Sequence, residues 1–198
     1  NFTLQLCQAL EEKGYTVWLD KNDIPLAVDF QQEIENGIGQ CDNFLFIISP
    51  HSVRSMHCFR EIQHALRLNK RLIPILHLEV QSQVVEENMH PEIRKLNWLD
   101  FTKEVLLEKA LPSLLDVLER DREYVSARSR YTTKALEWEH QQHSKDLLLR
   151  GRELREGYAW LSKALAEKST PQPTRLMTEF INKSKAAAKV QRIRGVIT

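Results

Sequence analysis

Residues 44–49 read Phe-Leu-Phe-Ile-Ile-Ser, and residues 71–76 read Arg-Leu-Ile-Pro-Ile-Leu. The first run is apolar up to Ser49 and is closed by Ser49-Pro50. A short continuous apolar run bounded by turn chemistry fits a strand covered on both faces, as in a parallel sheet. Between the runs, Cys58, Ile62, Ala65 and Leu66 recur at helical spacing and predict one helix with a single buried stripe. Strand, helix and strand in that order form a parallel α/β unit. Glu61 falls one turn beyond Cys58, at the edge of the stripe. That places a half-buried carboxylate near the C-terminal end of the feeding strand, where open α/β sheets build their ligand sites. Pro74 marks a position near a sheet edge, where a missing amide is tolerated.

Outward from this centre, residues 2–13 predict an amphipathic helix with Leu6 and Leu10 inward, stopped at Gly14. Residues 15–19 predict a short strand, and 20–28 the loop after it. Asp29, with Gln32 three positions on, fits a capping box opening a helix over 30–38. Residues 77–90 read as polar loop or short helix. Residues 97–101 predict the last strand. Residues 104–119 predict the last helix of the domain, kinked at Pro112. Beyond it the pattern is helical throughout. Tyr124, Ala127, Tyr131, Ala135 and Trp138 form one stripe; Leu154, Tyr158, Leu161 and Leu165 form a second. Met177, Phe180 and Ile181 lie inward on a third helix over 174–194. The reading is an α/β domain over 1–119 followed by a small helical extension over 120–198.

The chain has 198 residues and a formal net charge of +1, so no global field draws it to nucleic acid. It holds no apolar run of membrane-spanning length and no signal peptide. The cysteines are Cys7, Cys41 and Cys58, an odd number without close pairing. They suit a reducing cytoplasm and exclude a disulfide framework or a zinc site. His57, Glu61 and His64 share one helix face, yet no distant ligand matches them, so no metal is expected. A phosphoacceptor receiver needs an aspartate where Ser49-Pro50 stands. There is no phosphate-binding glycine loop and no Ser/His/Asp triad.

Several stretches together resemble a bacterial TIR (Toll/interleukin-1 receptor) domain. They are VWLD at 17–20, DIPLAVDF at 23–30, Gly37-Ile38, CDNFLFIISPHSV at 41–53, SMHCFREI at 55–62, KRLIPI at 70–75 and LNWLDF at 96–101. The resemblance implies a flavodoxin-like parallel sheet with helices on both faces and strand order second, first, third, fourth, fifth. It implies a central strand ahead of residue 2, so the sequence reads as opening inside the domain. A glycine is common before the helix at 30–38; Ala27 and Val28 stand there instead.

In family members that cleave NAD, the glutamate of a Ser-x-x-Cys-x-x-Glu pattern is catalytic. Here that pattern falls on Ser55, Cys58 and Glu61. The resemblance implies Glu61 as the catalytic residue and Phe30 as an aromatic against a ring of the dinucleotide, the other reading of Phe30 being a core aromatic. Asp20, at its strand end, contacts ribose or organises the loop, and Ser49 and Cys58 are expected beside the substrate. NAD is then the substrate, with no separate cofactor and no metal. The products would be nicotinamide and ADP-ribose or a cyclic isomer, in a bacterial stress or anti-phage response. A non-catalytic module that signals by TIR–TIR assembly is the alternative. Self-association is expected in either case. The helical extension resembles segments found ahead of WD-repeat or membrane modules. That implies a cytoplasmic protein tethered to a sensor or a membrane in its full-length form.

Overall fold

The computed structural model describes residues 2–19, 30–102 and 107–196. The chain forms two compact units, Asn1–Asp121 and Arg122–Thr198. In the first, helix α1 (Phe2–Glu12) is followed by α2 (Phe30–Gln40), strand β1 (Asn43–Ile48), helices α3 (Pro50–Arg54) and α4 (Met56–Arg67), and strand β2 (Arg71–Leu76). Then come α5 (Ser82–Asn88), α6 (Pro91–Arg94), β3 (Leu99–Asp100) and α7 (Leu107–Glu119). The sheet is parallel, in order β1-β2-β3. β1 and β2 pair along their whole lengths, from Asn43 opposite Arg71 to Ile48 opposite Leu76.

The two-residue side-chain period of the strands sorts the helices into two layers. Leu45, Ile47, Ile73 and Ile75 meet Leu6 and Leu10 of α1 and Ala110, Leu114 and Leu118 of α7. The alternate residues Phe46 and Ile48, with Phe44, Leu72 and Leu76 beside them, meet Val53, Ile62, Val84, Met89 and Ile93 on α3 to α6. α2 packs in this second layer through Ile34 and Ile38 against Ala65. Apolar residues at both strand parities thus follow from a sheet covered on both faces.

Two consecutive basic residues at the start of β2 fasten these layers. Lys70, 4% exposed, donates from Nζ to the carbonyls of Gly39 (2.7 Å) and Cys41 (2.8 Å) at the end of α2. Arg71 points the other way and donates to the carbonyls of Arg120 (2.7 Å) and Leu118 (3.2 Å) at the end of α7. Cations at helix C-termini satisfy orphan carbonyls and oppose the helix dipole. α1 ends as its glycine predicts: Gly14 has φ +83°, and Tyr15 N–H returns to the Leu10 carbonyl at 3.1 Å.

Four expectations need correction. Residues 15–19 are not part of the hydrogen-bonded sheet. Tyr15 and Val17 pack on the α1/α7 layer as a strand would, but the described residues hold no strand between this segment and β1 to supply a ladder. The last strand shrinks from 97–101 to Leu99–Asp100, because Asp100 turns its carboxylate onto the N–H of Thr102 (2.9 Å), and Trp98 donates from Nε1 to Ile93 (3.0 Å). Pro74 lies in the middle strand rather than at an edge. β3 begins its pairing only at Ile75, so the missing amide leaves no β3 bond unmade at Pro74. The single helix between β1 and β2 is two, α3 and α4, broken at Ser55. The stretch at 77–90 contains the helix α5.

The second unit has three helices, α8 (Arg122–His140), α9 (Gly151–Glu167) and α10 (Arg175–Val196), with a 3-10 turn at Lys145–Leu147. Tyr131, Ala135, Trp138, Leu149, Leu161, Met177, Phe180 and Ile181 form its core. The first and third predicted stripes match this core. The second is rotated: Tyr158 is 37% and Leu165 50% exposed, while Gly157, Leu161 and Ala164 are buried. Small residues face inward because α9 approaches closely. A Cβ on Gly157 would sit 3.1 Å from Leu149 and 3.2 Å from Tyr131. Arg128 is 1% exposed, its Nε donating to the Gln172 carbonyl (3.3 Å), and burial holds its guanidinium below the ordinary value.

Candidate functional site

The site begins with the way β1 passes into α3. Ser49 is the N-cap of α3, with Pro50 as its first residue. Ser52 N–H donates to Ser49 Oγ (3.2 Å), and Ser49 N–H donates to Ser52 Oγ (2.9 Å). The Ser52 hydroxyl donates onward to the Ile47 carbonyl (2.7 Å). This reciprocal cap fixes the strand exit at the C-terminal edge of the sheet. Three residues later Ser55 ends α3 and caps α4, accepting from Cys58 N–H at 3.3 Å. The first two positions of the Ser-x-x-Cys-x-x-Glu pattern are therefore a helix start, with Cys58 at its third residue.

Capping sets the rotation of α4, and rotation sets the place of Glu61. Ile62 and Ala65 are buried, Cys58 and Leu66 partly so, as the stripe predicts. Glu61 is half-buried and lies four residues before Ala65, on the same line of the helix. Ala65 packs against Ile34 and Ile38, so this flank of α4 faces α2. α2 and α4 both start at the C-terminal edge of the sheet, which brings the first residue of α2, Phe30, and the second turn of α4 to one end of the domain. The Phe30 side chain lies outside the described residues, as do Asp20, Ala27, Val28 and Asp29. Of the expected site residues, Ser49, Cys58 and Glu61 are placed, all on the β1–α3–α4 segment.

The opposite flank of α4 is different. Phe59 packs against His90 with ring centroids 4.9 Å apart. A recess of about 10 Å³, room for a single water, is lined there by Phe46, Ser52, Val53, Phe59, Ile62, Asn88, Met89 and His90. A shallow groove of about 390 Å³ continues along Gln63, Leu66, Arg67 and His90. Neither hollow includes Glu61. His90 accepts the Glu92 N–H on Nδ1 at 3.2 Å, and burial holds its imidazole below the ordinary range. His64, on the Glu61 side, has its Nδ1 3.3 Å from Arg67.

Two residues outside the expected set shape the Glu61 flank. Trp18, in the segment leading to Asp20, lies on α2 so closely that a Cβ on Gly37 would sit 2.5 Å from its ring. Gly37 is thus a close-approach glycine. Lys70 holds the far end of the same helix. Neither was expected, because both act across contacts distant in sequence. Trp98 is a half-buried core residue of the second layer.

A parallel sheet with helices on both faces agrees with a flavodoxin-like α/β domain. A family model described as the TIR domain matches residues 1–115, and the chain belongs to that family. No curated protein matches the chain.

Proposed function

We propose that this TIR domain cleaves NAD at the bond between ribose and nicotinamide, with Glu61 as the catalytic carboxylate. One observation carries the reading: the capped start of α4 holds Glu61 half-buried on the flank that faces α2, at the ligand end of the sheet. Bond cleavage passes through an oxocarbenium-like state. A fixed carboxylate beside the ribose stabilises the developing positive charge. Nicotinamide is cationic in NAD and leaves as a neutral base, taking the bonding electrons, so no general acid is needed. Water, or a second nucleophile of the substrate itself, then completes the ribose. Asp20 and Phe30 would bind the dinucleotide from the α2 side, with Ser49 and Cys58 flooring the site. A bacterial stress or anti-phage response, with activity raised by self-association, is the setting this activity fits.

The test is nicotinamide release by purified protein. Glu61→Gln keeps shape and removes charge, and a loss of ~100-fold or more is expected, the scale of one electrostatic stabiliser. An unchanged rate in a folded variant would remove Glu61 from the mechanism. A second reading has its own observation: the two hollows lie on the His90 flank, not beside Glu61. It makes the domain a non-catalytic assembly module. Self-association without nicotinamide release at any concentration would select it.

A further inference from the structure

The overall charge of +1 conceals a division. Asn1–Asp121 carries twelve Lys and Arg against nineteen Asp and Glu, a formal −7; Arg122–Thr198 carries sixteen against eight, a formal +8. Within the second unit one end brings cations of two helices together. A short connection joins α9 to α10, and Lys185 Nζ lies over the Tyr158 ring at 3.4 Å. The two helices are therefore antiparallel, and the start of α9 shares an end with the last turns of α10. Arg150, Arg152 and Arg155 come from the first, Lys185 and Lys189 from the second. Three acids near this end are held in ion pairs, Glu153 with Lys134 (3.0 Å), Glu156 with Arg152 (2.8 Å) and Asp146 with Arg150 (3.7 Å), so Arg155, Lys185 and Lys189 carry the charge offered here.

The same end carries apolar surface that the core does not use. Ser184 is the last buried residue among the described side chains of α10. Val190, six residues on, is turned about 240° from that face and is 49% exposed. Exposed Ala186 precedes it by one turn. Exposed Lys183 lies two turns before Val190 on the same line, and exposed Lys189 beside it. An apolar line edged by cations is the pattern of a helix resting in a bilayer interface, apolar groups among the acyl boundary and ammonium groups on the headgroups.

We propose that this end of the second unit docks on an anionic lipid surface. Phosphate-backbone binding would use the cations but give Val190 no role. The acidic first unit of a second copy would supply charge without an apolar boundary. No helix among the described residues is long and apolar enough to cross a membrane, so the contact is peripheral.

The experiment is co-sedimentation of the full 198-residue chain with vesicles of phosphatidylcholine alone and of phosphatidylcholine with phosphatidylserine. Binding is expected to the anionic vesicles only, and to fall steeply between about 0.1 M and about 1 M salt. The double variant Arg155→Ala with Lys189→Ala should weaken binding about 30-fold, about fivefold per cation. Val190→Ser should weaken it severalfold with unchanged helical content. Equal uptake by both vesicle types would overturn the proposal. So would an unaltered affinity in either variant, or a short duplex DNA or RNA that wild type and Val190→Ser bind more tightly than vesicles.

Discussion

Lys70→Met removes a buried ammonium while keeping most of its methylene stem. The side chain is 4% exposed and donates to two carbonyls, at 2.7 and 2.8 Å. Hydrogen bonds to a charged group contribute roughly 1.5–3 kcal/mol each, and a buried carbonyl left without a donor costs roughly 1–3 kcal/mol. Releasing the ammonium from burial returns several kcal/mol of that loss. The net expectation is a destabilisation of about 2–4 kcal/mol, or roughly 8–16 °C in Tm for a unit of this size. The loss should be confined to the first unit. Urea melts followed by circular dichroism should show the first unit's transition move and the second unit's stay in place. A second readout is chemical. Burial pushes the Cys41 thiol up, and Lys70 partly opposes this. Without Lys70 the thiol should rise further, so Cys41 alkylation near pH 8, followed by mass spectrometry, should slow in the folded protein. A loss under about 1 kcal/mol with unchanged alkylation would refute the claim that Lys70 fastens α2.

His90 is held below its ordinary value by burial, so the unfolded chain takes up its proton at higher pH than the folded chain does. Its contribution is complete above about 6.5 and is lost as pH falls from there through the folded value. His90→Asn keeps an acceptor for the Glu92 N–H but does not titrate, and should flatten Tm against pH between about 5 and 7. Gly157→Ala sets a methyl 3.1–3.3 Å from Leu149 and Tyr131. Overpacking should cost ~1–3 kcal/mol, offset by up to ~1 kcal/mol of helix propensity, and a stabilised second unit would contradict the close approach of α9.

The central strands were readable because a continuous apolar run has few alternatives once turn residues bound it. Glu61 was readable as well, since its spacing from Cys58 and Ala65 fixes its place on α4. The break at Ser55 was present but easily missed: serine occupies both positions of the cap at Ser49 and Ser52, instead of the usual serine and glutamate. Residues 15–19 have the composition of a strand, yet pairing is a property of the neighbour. Arg128 and Lys70 read as surface residues by type. Their burial depends on carbonyls 44 and 29–31 residues away. The separation of charge was hidden by addition, since a sum near zero says nothing of how its parts are grouped.

The contact between Trp18 and Gly37 makes the domain its own optical gauge. An indole pressed against a helix backbone emits according to how far that helix and the segment beneath it have slid. Trp18 stands two residues before Asp20, and Gly37 two turns along the helix that Phe30 opens. Anything that grips those two residues together has to move or still this fluorophore. With Trp98 replaced by Phe and the second unit's Trp138 and Trp160 as a constant background, a dinucleotide titration followed by emission would register occupancy without any turnover. Glu61→Gln protein could then be used to watch the encounter alone.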